Sequence, residues 1–234
     1  MAIIMEGKGL TKTFGEGELS LTAVDHMDFA IQEGELVVIL GQSGAGKSTL
    51  LNLIGGLEPI SEGQLLYKGE DIAQYSKRQR TDYRRDRIGF VFQFYNLMPN
   101  LTARENVEIA TTMVKGSLDP DKALESVGLT ARSDHFPAQL SGGEQQRVSI
   151  ARAIAKNTDL ILCDEPTGAL DYQTSKEILA LLSRLAHEEG KTIIIVTHNS
   201  ALAEMADHLL RVKNGQIVLD EHHDNPKPIE EIEW

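Results

Sequence analysis

Short apolar runs alternate along the chain with longer segments whose apolar residues recur at helical spacing. The runs that predict strands occupy residues 36–40, 88–92, 160–163, 192–197 and 209–212. Several are apolar at nearly every position, which is typical of strands buried on both faces. Strands of this kind, alternating with helices, predict an α/β fold with a mostly parallel sheet.

One amphipathic helix is predicted over residues 175–189. Its apolar positions follow the spacing of a single helix face, and they are Ile178, Leu181, Leu182 and Leu185. Gly190 suits the position directly after the helix, because glycine adopts a left-handed conformation there without steric cost. The helix is therefore expected to end before Gly190.

The strand pattern stops over residues 94–157. The segment has the pattern of helices, and these are broken at Pro99, Pro120 and Pro137. It therefore indicates a helical insertion between two strand-rich parts of the chain.

The end of the chain, from residue 220 onward, is acidic and contains Pro226 and Pro228. This composition predicts a loosely ordered tail. The His222–His223 pair in it is expected to be solvated rather than metal-binding.

Composition narrows the class of protein. The chain has 234 residues, of which 41% are hydrophobic and 25% charged, enough to bury the core of one globular domain. A formal net charge of −12 argues against broad binding to nucleic acid, which requires Lys and Arg to neutralise phosphates. No signal peptide and no bilayer-length apolar run is apparent, so a soluble protein is expected. The single Cys163 has the setting of a buried hydrophobe and is compatible with a reducing cytoplasm.

A glycine-rich loop follows the first of the apolar strands. Gly41, Gly46, Lys47 and Ser48 match the motif G-x-x-x-x-G-K-[ST] between a predicted strand and a helix. Glycine lets the backbone wrap around phosphate oxygens at a helix N-terminus, where the helix dipole favours an anion. Lys47 is expected to contact the β- and γ-phosphates, and the Ser48 hydroxyl to bind Mg²⁺.

Two adjacent carboxylates, Asp164 and Glu165, follow the strand predicted at 160–163. Asp164 is expected to hold Mg²⁺ through water, and Glu165 to polarise the water that attacks the γ-phosphate. Residues 156–159 read Lys-Asn-Thr-Asp, which is not the N-K-x-D order of a guanine-specific box. A GTPase is therefore disfavoured.

A second glycine pair opens the helix that precedes these carboxylates. Residues 140–147 read LSGGEQQR, and the apolar residues after them continue as a helix. A second anion-binding helix N-terminus is therefore predicted at Ser141.

Six segments in this order resemble the nucleotide-binding subunits of ABC (ATP-binding cassette) transporters over nearly the whole chain. They are GQSGAGKST at 41–49, Gln93, LSGGEQQR at 140–147, LILCDEP at 160–166, ALD at 169–171 and His198. The resemblance implies one ABC ATPase domain over residues 1–234, with the fold of a P-loop NTPase. Its parts would be a RecA-like core with a mostly parallel sheet, an antiparallel β-subdomain, an inserted helical subdomain and an acidic tail. The implied bounds are 1–93 and 158–220 for the core, 94–157 for the helical subdomain and 221–234 for the tail.

The resemblance also implies which residues bind ATP and Mg²⁺. Contacts with ATP are expected from Gly41, Ser43, Gly44, Gly46, Lys47, Ser48 and Thr49 and, on the facing chain of a dimer, from Ser141, Gly142, Gly143 and Glu144. Contacts with Mg²⁺ are expected from Ser48, Gln93 and Asp164. Family members often stack adenine on a tyrosine upstream of the phosphate loop. Here Phe14 occupies that region and still offers a π face.

Three further residues have roles implied by the same resemblance. Gln93 is expected to sense Mg²⁺ and the attacking water at the start of the helical insertion. His198 is expected to contact the γ-phosphate and to hold the catalytic geometry together with Glu165. Asp171 is expected to communicate across the dimer.

Residues 91–107 and 140–171 most resemble the lipoprotein-releasing and macrolide-export group and related antimicrobial-peptide transporters. Such ATPases work with FtsX-like permeases, so the resemblance implies an ATP-driven homodimer on a separate permease that it moves mechanically. An extracytoplasmic adaptor or substrate-binding subunit is a further implied partner, and no nucleic acid is expected. The implied location is cytoplasmic, peripheral on the inner face of the cell membrane.

Two other classes of protein remain as alternatives. A soluble ABC ATPase acting on DNA or ribosomes usually carries two cassettes, or a long coiled-coil or zinc insertion, and neither is seen in this sequence. A P-loop small-molecule kinase would leave LSGGEQQR unexplained. The basic run over residues 77–87 could face anionic lipid or a permease, but its interleaved Asp82 and Asp86 favour a solvated helix face.

Overall fold

A computed structural model describes residues 2–233 of the chain, without the side chain of Glu18. The strands in chain order are β1 (Ile3–Phe14), β2 (Leu21–Gln32), β3 (Leu36–Leu40), β4 (Glu62–Tyr67), β5 (Glu70–Asp71), β6 (Ile88–Phe92), β7 (Leu160–Asp164), β8 (Thr192–Thr197), β9 (His208–Lys213) and β10 (Gln216–His222). The helices are α1 (Lys47–Ile54), α2 (Lys77–Arg87), α3 (Ala103–Thr111), α4 (Pro120–Ser126), α5 (Gly142–Ala155) and α6 (Tyr172–His187).

All five strands predicted from the apolar runs are present. Strands β3, β6 and β8 have the predicted bounds, whereas β7 is one residue longer and β9 is longer by one residue at each end. Every residue of β3 and β8 is buried, as expected for strands covered on both faces. The α/β fold predicted from the sequence is confirmed.

The chain divides into two compact units. The first runs up to Arg84 and resumes at Ile194, and the second is Arg85–Ile193. Strand β8 therefore begins in the second unit and ends in the first. The second unit holds β6, β7 and α6 in addition to the helices of residues 94–157, and the implied bounds of the helical subdomain stay predictions.

The first unit contains an antiparallel sheet with the strand order β2-β1-β4-β5. The resemblance implies such a sheet, but the apolar pattern does not locate its long strands. The register of β1 against β2 shifts at several points, including between Gly7 and Leu10. Each shift interrupts the alternation of inward and outward side chains, so β1 and β2 lack a clean period of two.

The first unit also contains strands in the order β10-β9-β3-β8. Strands β3 and β9 are parallel, with Val37 opposite His208 and Leu40 opposite Arg211. Strand β10 returns antiparallel to β9. The phosphate loop leaves the C-terminal end of β3 and enters α1, whose apolar side chains Leu50, Leu51, Leu53 and Ile54 are buried.

The second unit places helices around the parallel pair of β6 and β7. The register runs from Ile88 opposite Leu160 to Phe92 opposite Asp164. Helices α3 and α4 pack against α5, and α5 packs against β6 and α6. The helical character predicted for 94–157 is confirmed, and two of its prolines begin helical turns, since Pro120 opens α4 and Pro137 opens a short 3₁₀ turn.

Helix α6 begins three residues before the predicted start and ends two residues before the predicted end. Asp171 caps its N-terminus, where Oδ1 accepts a hydrogen bond from the Thr174 amide at 3.0 Å. At the other end Gly190 has a φ of 67° and its amide donates to the Ala186 carbonyl. The predicted stop at Gly190 is therefore confirmed.

The prediction of a loosely ordered tail is wrong for its apolar residues. Ile229 and Ile232 are 5% and 1% exposed, and Lys227 forms an ion pair with Glu204 at 2.8 Å. A 3₁₀ turn over Ile229–Glu231 explains the burial, because residues three apart lie on the same side of such a turn.

The histidine pair is partly exposed, as expected, but both rings also have partners in the fold. The side chain of His222 is 48% exposed, but its ring stacks on that of His208 with centroids 3.9 Å apart. His223 Nδ1 lies 2.9 Å from the Ala206 carbonyl oxygen. Both rings are held because β10 extends to His222 and pairs this residue with β9.

Among the residues described, no helix is long and apolar enough to cross a membrane.

We expect Ile232→Ala to lower the free energy of unfolding by about 2 kcal/mol or more, because it leaves a cavity at a fully buried position. Glu233→Ala, at the exposed neighbouring position, should change it by less than about 0.5 kcal/mol. Urea denaturation of the three proteins measures both effects. Equal stability of Ile232→Ala and the unchanged chain would contradict the packing of the tail.

Candidate nucleotide site

The phosphate loop is held by backbone hydrogen bonds to the end of β8 and to the turn between β9 and β10. The Gly41 amide donates to Thr197 at the end of β8 (3.3 Å), and the Gly215 amide donates to the Ala45 carbonyl (2.9 Å). Gly46 has a φ of 105°, and a Cβ there would overlap the Ala23 carbonyl oxygen. Only glycine is compatible with both the left-handed backbone and this close approach.

Helix α1 begins directly after Gly46, and no side chain caps its N-terminus. The first backbone amides of a helix have no partner within the helix, so this end can accept an anion. Lys47 is 6% exposed, and its Nζ donates to the Gln42 carbonyl across the loop at 2.9 Å. The cationic side chain of Lys47 therefore lies within the phosphate loop, next to the uncapped amides at the start of α1.

The other predicted residues of the loop lie in or beside a cleft in the first unit. The cleft has a volume of about 460 Å³, and its lining includes Gly41, Gln42, Ser43, Gly44 and His198. Ser48 and Thr49 occupy the first turn of α1, and Ser48 is exposed. His198 follows Thr197, whose carbonyl holds the start of the loop, and this places the imidazole at the same cleft.

Phe14 is the last residue of β1, and it is 39% exposed. The Lys12 ammonium lies 4.7 Å from the centre of its ring and occupies one face through a cation–π contact. Lys12 is itself held by the Pro59 carbonyl and the Glu58 carboxylate. An aromatic ring has two faces, so stacking of adenine on Phe14 stays a prediction compatible with this arrangement.

In the second unit, Asp164 ends β7 opposite Phe92 at the end of β6. The next residue on each strand is a predicted site residue, Glu165 on one and Gln93 on the other. Gln93 Nε2 approaches Gly168 so closely that a Cβ on Gly168 would lie 2.8 Å from it. The fold thus brings Gln93 beside the loop that carries Glu165.

Glu165 has a φ of 47°, in the left-handed region that residues with a side chain rarely occupy. Its carbonyl accepts the Gly168 amide at 3.0 Å, which closes a tight turn after the strand. Residues with such strained backbones cluster at functional sites. Cys163, just before the acid pair, is fully buried, and burial raises the pKa of its thiol, so its predicted role as a buried hydrophobe is confirmed.

The glycine pair of LSGGEQQR lies in the first turn of α5. Ser141 is the N-cap residue, its Oγ accepting the Glu144 amide at 3.2 Å while the Glu144 carboxylate accepts the Ser141 amide at 2.8 Å. This capping box uses one of the early amide groups of the helix. The amides of Gly142 and Gly143 precede the first intrahelical bond, and they are the donors that a predicted anion would meet.

The LSGGEQQR segment at residues 140–147, called the signature segment below, lies close to Asp171 within the second unit. A Cβ on Gly143 would overlap Cγ2 of Thr174, the residue that Asp171 caps. Hydrogen bonds from Thr174 lower the pKa of the Asp171 carboxyl, the largest contribution coming from its hydroxyl. Gly143 is thus required by the packing of α5 on α6, whichever role Asp171 has in addition.

Arg152 shapes the segment after Gln93, although the sequence does not predict this role. Arg152 on α5 donates to the carbonyl oxygens of Tyr95 (2.8 Å) and Asn96 (2.6 Å). Both of these residues have positive φ values, so the guanidinium stabilises an unusual turn. No local signal in the sequence indicates this contact, because Arg152 is 56 residues from Asn96.

Comparison with known proteins identifies the family. A family model described as ABC transporter matches residues 24–168. A macrolide export ATP-binding/permease protein of Marinobacter nauticus is 44% identical over 93% of this chain and 34% of that protein. An ABC transporter ATP-binding protein of Mycobacterium tuberculosis is 44% identical over 92% of this chain and 89% of that protein.

Solved structures agree with these relatives. The ATP-binding cassette MJ0796, in a dimeric post-hydrolysis state with ADP and Pi, has a TM-score of 0.84 and 40% identity over 93% of this chain and 98% of that one. The protein cbiO1 of Clostridium perfringens, part of the ABC transporter complex cbiONQ, has a TM-score of 0.84 and 29% identity over 95% of this chain and 89% of that one.

The chain therefore belongs to the ABC transporter family, as an ATP-binding cassette. This membership confirms the predicted class, an ATPase that uses ATP and Mg²⁺. The chain spans about a third of the length of the macrolide-export relatives that it matches (34%). The individual roles of the site residues stay predictions.

Hydrogen bonds from the Ser141 backbone, and secondarily its hydroxyl and Arg132, lower the pKa of Glu144 below its ordinary value of 4.5. Because the folded pKa is lowered, the stabilisation is present above about pH 4.5 and is lost as the pH falls through the folded value. We expect Glu144→Gln to be less stable than the unchanged chain at pH 7, with a difference that shrinks as the solution is acidified.

Urea denaturation at a series of pH values measures this difference. Glu125→Gln, at an exposed position late in α4, is the matched control and should show no comparable trend. A difference that stayed constant down to pH 3 would show that the carboxylate charge of Glu144 does not stabilise the cap.

Proposed function

We propose that the chain is the ATP-hydrolysing subunit of an ABC transporter that dimerises around two ATP molecules and drives an FtsX-like permease. The observation that carries the proposal is the uncapped N-terminus of α1, bordered by the buried Lys47 and the glycine-shaped loop. Such an end binds polyphosphate through backbone amides, a point charge and the helix dipole. The cassette family to which the chain belongs supports ATP as that polyphosphate.

The residues of the site divide between binding and hydrolysis. Gly41, Ser43, Gly44, Gly46, Lys47, Ser48 and Thr49 bind the phosphates, and Phe14 stacks on the adenine. Mg²⁺ would be held by Ser48, Gln93 and Asp164, and when bound it would neutralise developing charge on the phosphate oxygens. Glu165 orients and polarises the attacking water, and His198 contacts the γ-phosphate.

The dimer follows from the second helix N-terminus. Ser141, Gly142 and Gly143 offer a hydroxyl and two amides, and the Glu144 carboxylate beside them is paired with Arg132 at 3.0 Å. We propose that they meet the γ-phosphate of an ATP bound to the phosphate loop of a second copy. Because ADP lacks that phosphate, ATP favours the dimer and hydrolysis releases it. The dimeric states of the cassette MJ0796 support this arrangement.

The permease is proposed from the relatives. The macrolide-export relatives are ATP-binding/permease proteins, and the chain matches about a third of their length. The match to 89% of the Mycobacterium protein supports a cassette that works with a separate FtsX-like permease. Export of lipoprotein, peptide or antimicrobial, or mechanical transmission to an extracytoplasmic adaptor or substrate-binding subunit, is then the work of the complex. The proposed location is the cytoplasm, peripheral on the inner face of the membrane.

Glu165→Gln should reduce ATP turnover by roughly 10²-fold or more while ATP binding persists, because the amide retains the shape but not the basicity of the carboxylate. Lys47→Ala is the contrasting variant, and it should lose ATP binding itself. Phosphate release and calorimetric titration separate the two effects. Near-normal turnover in Glu165→Gln would remove Glu165 from the proposed role, and unchanged binding in Lys47→Ala would move the site elsewhere.

The Glu165→Gln protein should be monomeric without nucleotide and dimeric with Mg-ATP, because ATP then persists between the two copies. Adding Ser141→Arg should abolish the dimer and leave ATP binding by the monomer largely intact. Since Ser141 also caps α5, Ser141→Thr in the same background is the matched control: it keeps a capping hydroxyl and should still dimerise. Light scattering measures the oligomeric state of each variant with and without Mg-ATP. A Ser141→Arg protein that dimerised with ATP would show that the signature segment does not complete the site.

A further inference from the structure

A cluster of one carboxylate and two imidazoles lies in the first unit at the end of β3 that is opposite to the phosphate loop. Glu35 directly precedes β3, and His208 begins β9 opposite Val37. His222 ends β10 directly opposite His208. The three residues therefore form a row across adjacent strands, with their side chains on one face. The loop leaves β3 after Leu40, about five residues or roughly 15 Å along the chain from Glu35.

The three side chains converge with the spacing of a metal site. His222 Nδ1 lies 3.2 Å from Glu35 Oε1, and His208 Nδ1 lies 3.5 Å from Glu35 Oε2. One ligand atom from each residue lies within 4.8 Å of the other two. Ligand atoms about 2.0–2.1 Å from a tetrahedral zinc ion are roughly 3.3 Å from each other. Each imidazole nitrogen lies near that distance from a Glu35 oxygen, His222 from Oε1 and His208 from Oε2, so the carboxylate presents one oxygen to each ring.

The buried ring of His208 supplies an independent observation. Its side chain is 0% exposed, and Nδ1 has no hydrogen-bond partner. Its other nitrogen, Nε2, lies 2.7 Å from Asp220 Oδ1. Because the carboxylate accepts a hydrogen bond, the proton of the neutral ring belongs on Nε2. The lone pair of Nδ1 then points toward Glu35, as in the carboxylate–histidine–metal arrangements of zinc proteins.

The remaining carboxylate is also oriented. Glu35 Oε2 accepts the Gln32 amide at 2.8 Å, and its side chain is only 9% exposed. Two carboxylates thus flank the His208 ring, and positive charge at this point is favoured. A proton or a metal cation can satisfy this demand.

We propose that Glu35, His208 and His222 bind a divalent transition-metal ion of the Zn²⁺ class. Two imidazole nitrogens and a carboxylate oxygen are ligands that Zn²⁺ accepts in tetrahedral sites, with water in the fourth position. Asp220 and the Gln32 amide orient the ligands without touching the ion. The half-exposed His222 provides access from solvent, and the bound ion ties β10 to β9 and to the start of β3.

The proposal is independent of nucleotide binding, because none of its ligands belongs to the predicted ATP or Mg²⁺ sites. It is tested on the full chain, stripped of metal with a chelator and studied without nucleotide or Mg²⁺. Zn²⁺ is titrated in competition with a chromophoric chelator. We expect one equivalent whose affinity falls at least tenfold in His222→Ala, and by about 10- to 100-fold in Asp220→Asn, which removes the orienting carboxylate.

His223→Ala is the matched control, since it removes the adjacent histidine, whose ring contacts only the Ala206 carbonyl in the contacts described. Its affinity should stay within about twofold of that of the unchanged chain, as for a residue outside the ligand set. Far-UV circular dichroism confirms that each variant is folded. Co²⁺ in place of Zn²⁺ should give the visible absorption of a four-coordinate ion, and His222→Ala should lose it.

Two results would overturn the proposal. One is a chain that binds Zn²⁺ no more tightly than His222→Ala, in which case the cluster holds a proton only. The other is an equal loss of affinity in His222→Ala and His223→Ala, which would indicate nonspecific binding by surface histidines.

Discussion

The N-terminus of α1, which has no side-chain cap, is the constraint on which the first unit depends. A helix leaves its first four amides without an internal partner, and here no side chain supplies one. An anion can accept hydrogen bonds from these amides only if the chain before the helix turns away and leaves space in front of them. The left-handed Gly46 produces this turn, and its close approach to Ala23 excludes any larger residue. The buried strand β3 holds the loop in place.

Three other helices have a side-chain cap where α1 has none. Thr102, Ser141 and Asp171 cap α3, α5 and α6, and each accepts a hydrogen bond from the amide three residues later. Because a side chain already accepts a hydrogen bond from one amide of each first turn, these helices need no ligand to be stable. At α5, however, the glycines after Ser141 leave the surface around two amides without side chains. A capped helix can thus retain enough open donors to bind an anion supplied by another molecule.

The sequence predicted well those features that depend on local chemistry or on uniform burial. Strands β3, β6 and β8 are continuous apolar runs, and Gly190 and the phosphate loop have backbone requirements that only a few residues meet. The long strands β1 and β2 were not predicted, because bulges interrupt the alternation of their inward and outward side chains. Contacts distant in sequence, such as Arg152 with the carbonyl of Asn96, leave no periodic signal at all.

The surroundings of the histidines also could not be predicted from the local sequence. His222 sits in a polar, acidic segment, and composition alone predicts solvation for it. Its environment is decided instead by register: β10 places it opposite His208, and β9 places His208 opposite the residue two after Glu35. Glu35, which is more than 170 positions from both histidines, then shares one face of a sheet with them. A parallel strand has two ends, and in β3 the C-terminal end leads to the phosphate loop while the N-terminal end meets this cluster. The same buried strand therefore positions the phosphate loop at one end and the cluster of Glu35, His208 and His222 at the other.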